Sequence, residues 1–267
     1  MGEAVVIGLC NQKGGATKTT TVASLATVFA ERGQRVLAID NDPQGHLSLQ
    51  FGIDARRDKL AVTVSQLYLQ ERPTAEAVIH TNHNGVDLIP AFIGLAAVEM
   101  NLPGMQASDL RLRLALDEVR RDYDLIFLDS PPNLGKLASN VLAASDYFLV
   151  PVDGPWALES VDTLIAVARD NAKFYRLDNQ FLGLFLTMTD RTRVMQAVRE
   201  EAEERWPSQV FRTGIRRSTL AREAAAAREP LPLYAVDSAV AGDYQALADE
   251  VTERIGLTKQ ARSSHGS

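Results

Sequence analysis

Two lysines, two adjacent glycines and three threonines crowd into Cys10-Asn11-Gln12-Lys13-Gly14-Gly15-Ala16-Thr17-Lys18-Thr19-Thr20. These residue types suit the binding of an anion. Adjacent glycines let the backbone turn tightly and aim N–H groups at one point. A helix starting just after them adds about half a positive charge at its N-terminus. Lys18 can reach the terminal phosphates of a nucleotide, and the Thr19 hydroxyl can ligate a divalent cation. The usual pattern G-x-x-x-x-G-K-S/T is not met, because Gln12 and Thr17 stand at its two glycine positions. The plain alternative is a turn that caps a helix.

Two carboxylates favour the phosphate reading. VLAIDNDPQG ends an apolar run at Asp40 and continues through Asn41 and Asp42 to Gly45. A carboxylate at the C-terminal edge of a parallel strand faces the crevice where open α/β sheets bind ligands. YDLIFLDSPPNLG ends another apolar run at Asp129. That is the place for a carboxylate that supports Mg2+. The plain readings are an N-cap for Asp42, a strand-end cap for Asp129 and a solvated loop lysine for Lys13.

The elements that must hold these residues are legible. AVVIGLC (4–10), RVLAID (35–40), DLIFLD (124–129), YFLVPV (147–152) and FLGLFLT (181–187) are apolar at nearly every position. Strands covered on both faces read this way. GVDLIP (85–90) and QVFRTGI (209–215) are further strand candidates. Between the first two strands, Val22, Leu25, Ala26 and Phe29 form one helical stripe, and Gly33 sits where a helix C′ glycine belongs. Residues 110–121 and 157–170 also read as helices, as does the alanine-rich 221–227. Strand, helix, strand at this spacing means βαβ units. The expected fold is α/β: a P-loop NTPase with a mostly parallel twisted sheet and helices on both faces. One domain over 1–258 is expected, with 259–267 a flexible tail.

Composition narrows the class. Apolar residues make up 46% and charged residues 23%, as in soluble globular proteins. Lys plus Arg is 28 against 34 for Asp plus Glu, a net charge of −6, so nucleic acid would need a local basic patch. The single cysteine, Cys10, allows no intrachain disulfide and no thiolate cluster, which fits a reducing cytoplasm. No stretch reaches the roughly 18–20 apolar residues of a membrane span, and no basic segment precedes the first apolar run.

Taken together, these motifs resemble the ParA/Soj partitioning ATPases of the MinD/ParA class, whose Walker loops are deviant. The family loop K-G-G-x-G-K-T-T stands here as KGGATKTT. Its D-x-D-P-Q-G is Asp40 to Gly45, and its Walker B segment, with D-x-P-P-x-L-G, is Tyr123 to Gly135. VPVDGPWALES, TMTDRT and SAVAGDYQALADEV resemble later family segments, so the likeness spans nearly the whole chain. It implies binding of ATP and Mg2+ by the loop Lys13, Gly14, Gly15, Ala16, Thr17, Lys18, Thr19 and Thr20. It assigns phosphate to Lys18, Mg2+ to Thr19 directly, and Mg2+ through water to Asp129 and Asp42, with Asp42 also orienting the attacking water. Lys13 becomes the signature lysine that crosses to the nucleotide of a second subunit, so that ATP joins a homodimer. A second lysine can offset charge developing at the β–γ bridge.

Two positions depart from the family. Thr17 replaces a glycine. A β-branched residue resists positive φ, at a cost of order 1–3 kcal/mol. Because the other motifs are kept, an ordinary φ is expected there, with ATP binding retained and hydrolysis slow. The family's I-P-R-N, whose proline and asparagine lie beside adenine, stands here as Ile215-Arg216-Arg217-Ser218. Arg217 matches; Arg216 and Ser218, the candidate adenine-side residues, do not.

Nine arginines lie between Arg191 and Arg228, among five glutamates. Arg216, Arg217, Arg222 and Arg228 form the least neutralised group. They are candidates for non-specific, salt-sensitive DNA binding, the alternative being a solvated helix face. The resemblance implies a nucleoid-associated cytoplasmic protein that works with a ParB-like or other basic adaptor protein. Three other readings stand beside it. A MinD-like membrane ATPase needs a basic amphipathic C-terminal helix, but Asp249, Glu250 and Glu253 make this one acidic. An electron-transfer iron protein needs more cysteines. A weakly hydrolysing regulatory scaffold draws support from Thr17.

Overall fold

The structure, a computed structural model, describes residues 2–15, 17–83, 85–190 and 192–257. Seven strands form one sheet: β1 (Val5–Leu9), β2 (Val36–Asp40), β3 (Ile79–His80), β4 (Val86–Ile89), β5 (Leu125–Asp129), β6 (Tyr147–Val152) and β7 (Gln180–Leu186). Their order is β3-β4-β2-β5-β1-β6-β7. All neighbours are parallel except the two-residue edge strand β3, which runs antiparallel to β4. β1 therefore sits centrally, with β5 on one side and β6 on the other, and the chain reverses its direction of winding there. The crevice beyond the strand ends at such a point is where ligands enter this class of sheet.

Every residue of β2 and β5 is buried. Helices cover both faces. One face carries α1 (Lys18–Glu31), α2 (His46–Gln50), α9 (Leu220–Ala227), α10 (Leu231–Tyr234) and α11 (Ala239–Ile255). The other carries α3 (Val64–Leu69), α4 (Gly94–Asn101), α5 (Arg111–Leu116), α6 (Lys136–Ala144), α7 (Pro155–Tyr175) and α8 (Arg193–Arg205). α1 is sandwiched between the sheet and α11. Phe29 meets Phe127 of β5 at 5.8 Å between ring centroids. On α11, Tyr244, Leu247 and Val251 are spent in this core. α1 ends as its sequence indicates: Gly33 takes φ +90, and its N–H donates to Ala30 O at 2.9 Å.

Two expectations need correction. QVFRTGI is not a strand: it holds one isolated bridge, Val210 to Leu184, and a second, Arg216 to Thr189, lies just beyond it. The N–H groups of Arg212 and Thr213 donate to the Glu250 carboxylate of α11, at 3.0 and 3.1 Å, instead of to a ladder. The helix expected over 110–121 stops at Leu116. Beyond it, Glu118 and Val119 donate to carbonyls three residues back, so the chain tightens into turns. The edge strand β3 carries no apolar run and escapes the pattern. The expected tail, 259–267, lies outside the described residues.

Candidate functional site

The C-terminal ends of β1, β2 and β5 bring the predicted residues to one place. Strand register sets Asp129 beside both Leu9 and Asp40. The loop after β1 then folds over this edge. Asn11, buried, accepts from the Lys13 N–H at 2.8 Å and donates its own amide to Pro151 O at the end of β6. Gly15 takes φ +84. Ala16 lies outside the described residues. Thr17 is the N-cap of α1, and Lys18, Thr19 and Thr20 form the helix's first turn.

The ordinary backbone expected at Thr17 is overturned. Its φ is 59 and its ψ 14, the left-handed conformation that a glycine adopts without cost. The Thr17 side chain does not cap the helix; its hydroxyl pairs with that of Thr187 at 2.8 Å.

Lys18 is only 6% exposed, and its Nζ donates to Lys13 O at 3.3 Å. Burial lowers its pKa, while the nearby Asp129 pulls it back up. The Thr19 hydroxyl donates to Asp129 Oδ2 at 2.7 Å. Asp129 is fully buried and its Oδ1 has no partner. Burial first, then repulsion from Asp40, holds its carboxyl well above the usual carboxylate range. The adjacent Ser130 Oγ is also buried without a partner. Asp40 is better satisfied, accepting from the Ser48 N–H at 2.8 Å and the Ser48 hydroxyl at 2.7 Å. Burial still raises it to about 6. Asp42 accepts from the Gln44 N–H at 2.9 Å; the N-cap of the following helix is Gly45, so Asp42 does not cap it.

A buried lysine, an orphaned carboxylate oxygen and a threonine hydroxyl make a set that gains from a dianionic phosphate and a hard cation. Among the described residues, no group of three or more His, Cys, Asp or Glu side chains can cage a metal by itself. A Mg2+ ion here would draw most of its ligands from phosphate and water, which is its habit. The residues present fit the group.

With that geometry in place, the comparisons are decisive on family. A family model described as an AAA domain matches residues 4–179. The sporulation initiation inhibitor protein Soj of Bacillus subtilis is 36% identical over 92% of this chain and 97% of its own length. The chromosome partitioning protein ParA of Myxococcus xanthus is 33% identical over 93% of this chain and 88% of its own. The chain belongs to the ParA/Soj-type ATPases. Among solved structures, cobyrinic acid a,c-diamide synthase from Mycobacterium smegmatis, with a bound ATP analogue and magnesium, matches with a TM-score of 0.81 at 31% identity. It covers 95% of this chain and 96% of that one. The Cyanothece McdA(D38A)–ATP complex matches with a TM-score of 0.86 over 98% of this chain and 100% of that one, but at 20% identity, so it supports the fold alone.

Other predicted residues are dispersed. Lys13 Nζ, on a side chain 43% exposed, pairs with Asp153 Oδ2 at 2.9 Å. The least neutralised arginine group needs correcting. Arg216 is held by Asp243, with Nε and Nη2 each at 2.7 Å from its oxygens, because α11 brings that carboxylate underneath it. Arg217 reaches Asp190 at 3.8 Å and Arg228 reaches Asp54 at 3.8 Å. Arg222 has no ion-pair partner among the described residues. Ser218 Oγ accepts from the Leu220 N–H at the start of α9. Sequence reasoning missed Asp153, Thr187 and Asp243. Asp153 was findable, since VPVDGP ends a buried strand in a carboxylate just as Asp129 does.

Proposed function

We propose that this chain is an ATP-dependent partitioning ATPase that binds Mg2+·ATP between the β1–α1 loop and the ends of β2 and β5. The observation that carries the reading is the Thr19–Asp129 hydrogen bond with its orphaned second oxygen, lying beside buried Lys18. Each partner has a deficit that a metal-bound phosphate would fill. Lys18 and the loop N–H groups would hold the phosphates, and Thr19 would give up its bond to Asp129 to ligate the metal. Asp129 would then anchor the metal's waters with the freed oxygen. Asp42 stands at the mouth, 8% exposed, where a carboxylate can orient a water. Bound Mg2+ supplies neutralisation of charge developing on the phosphates.

Lys13 is the residue for a second subunit. Its partnership with Asp153 is half exposed and worth about 0–1 kcal/mol, so exchanging it for a nucleotide across a homodimer interface costs little. Arg217 and Arg222, with Arg228, are the cationic groups left to grip DNA non-specifically, and a basic adaptor protein of ParB type would stimulate hydrolysis. The reading places the protein in the cytoplasm on the nucleoid. No described helix is long and apolar enough to cross a membrane, and the apolar stripe of α11 is spent in the core, which weighs against membrane attachment through it. Thr17 favours slow turnover, the point on which a regulatory scaffold would agree.

Titration calorimetry with Mg2+·ATP, followed by sizing with ATP and with ADP, tests the scheme. ATP binding with a doubled mass in ATP alone is expected. Absence of ATP affinity would refute the nucleotide reading. Arg217→Glu with Arg222→Glu should abolish DNA retention while ATP binding persists; unchanged retention would remove the patch.

A further inference from the structure

Thr17 and Met188 both take the left-handed conformation, with φ 59 and φ 53. For a β-branched residue this is a true outlier. Such strain survives only where the surroundings over-determine it, and it gathers at functional segments. Thr17 is one member of a single long-range contact, and Met188 directly follows the other. The hydroxyls of Thr17 and Thr187 lie 2.8 Å apart although 170 residues separate them in the chain. Thr187 is fully buried, and its N–H donates to Val152 O at 2.8 Å, so this side of the contact is anchored to β6. The connection continues outward. Thr189 donates its N–H and its hydroxyl to Ile215 O, at 3.0 and 3.2 Å, and the Arg217 N–H donates to Thr189 O at 3.2 Å.

We infer that Thr17 and Thr187 are a positioning pair that clips the phosphate loop to the end of β7 and holds it preorganised for nucleotide. The inference rests on the reading of that loop as a phosphate site. A glycine at position 17 would adopt the same backbone without strain but would leave the loop untethered. Threonine accepts the strain and supplies a hydroxyl. Lys18 and Thr19 follow directly, so a shift at Thr17 moves both ligand groups. A loop ordered beforehand loses less freedom when its ligand arrives. Through Thr189, the clip also joins the phosphate side to the 215–217 segment.

Thr17→Val and Thr187→Val each delete one hydroxyl and keep the shape; Thr187→Ser keeps the hydroxyl. The probe is Mg2+·ATP, with Kd from calorimetry and KM and kcat from phosphate release. Each valine variant should weaken binding about threefold to tenfold, the worth of one hydrogen bond. The double variant should be no weaker than either single one. KM should rise while kcat stays within about twofold, the mark of lost uniform binding. Thr187→Ser should behave as wild type. Wild-type affinity in both valine variants, losses that multiply in the double variant, or a serine variant as weak as valine would each overturn the clip. A wild type that binds no ATP would sink the phosphate-site reading and the clip with it. Indifferent variants of a binding wild type would sink the clip alone. If circular dichroism shows Thr187→Val unfolded, Thr17→Val, on the partly exposed loop, carries the test.

Discussion

Asp129→Asn separates what the site costs the fold from what it gives a ligand. Asp129 is fully buried, one oxygen bonded to Thr19 at 2.7 Å and the other without a partner. Its carboxyl sits well above the usual range, through burial and then Asp40. A charge held that way opposes folding, and the amide removes it. The amide also introduces an N–H donor, which costs about 1–3 kcal/mol if left unpaired. The Asp40 and Asp42 carboxylates that repel a charge at position 129 attract an N–H dipole in its place. The resting variant should therefore melt no lower than the wild type. The ligand side runs the other way. At a Mg2+·ATP concentration of about 100 Kd, binding stabilises the wild type by about 2.7 kcal/mol. At roughly 2–4 °C per kcal/mol, that is a rise of roughly 5–11 °C. A variant that binds about tenfold more weakly gains about 1.4 kcal/mol at the same concentration, so its rise is roughly halved. Scanning calorimetry in EDTA, in Mg2+ alone and in Mg2+·ATP reads both halves. A resting midpoint several degrees below wild type would refute the cost argument. An undiminished Mg2+·ATP rise would refute the role given to Asp129.

Two further predictions concern the scaffold. Gly183 of β7 has φ +146, and a Cβ there would run into Gln209 O and crowd the Phe211 ring at 2.9 Å. Gly183→Ala combines strain of order 1–3 kcal/mol with overpacking of about 1–3 kcal/mol. The two together, about 2–6 kcal/mol, should lower the midpoint by roughly 4–24 °C; a loss under about 2 °C would contradict the clash. Glu250 is 5% exposed. Burial works to raise its pKa, but the Arg212 and Thr213 N–H groups and Arg254 outweigh it and bring the carboxyl below its ordinary 4.5. A depressed carboxylate contributes stability above its unfolded pKa and loses it as pH falls through the folded one. Glu250→Gln should therefore cost about 1.5–3 kcal/mol at pH 7, the worth of hydrogen bonds to a charged group. In urea titrations the gap to wild type should close as pH drops below 4.5; a gap independent of pH would rule out the charge as its source.

What the sequence shows, and what it hides, follows from the range of each interaction. Asp40 and Asp129 were legible as strand-end carboxylates because each ends an all-apolar run. Such runs become interior strands of a parallel sheet, and register then sets the two carboxylates side by side. Asp153 obeys the same rule. QVFRTGI failed because its residue types suit a strand while two of its N–H groups, those of Arg212 and Thr213, are claimed by Glu250, on a helix that pattern reading treats separately. Arg216 failed likewise, being free in the chain and neutralised by Asp243 in space. Thr17 is the more instructive case. The kept motifs argued for an ordinary φ, since a threonine resists a positive one. At the N-cap of α1 its φ is 59 instead, and the hydroxyl of Thr187 is there to meet the side chain. A threonine in a glycine's place is then not a damaged motif. It is a residue whose strain and whose contact have to be read together, and either one alone points to the wrong conclusion.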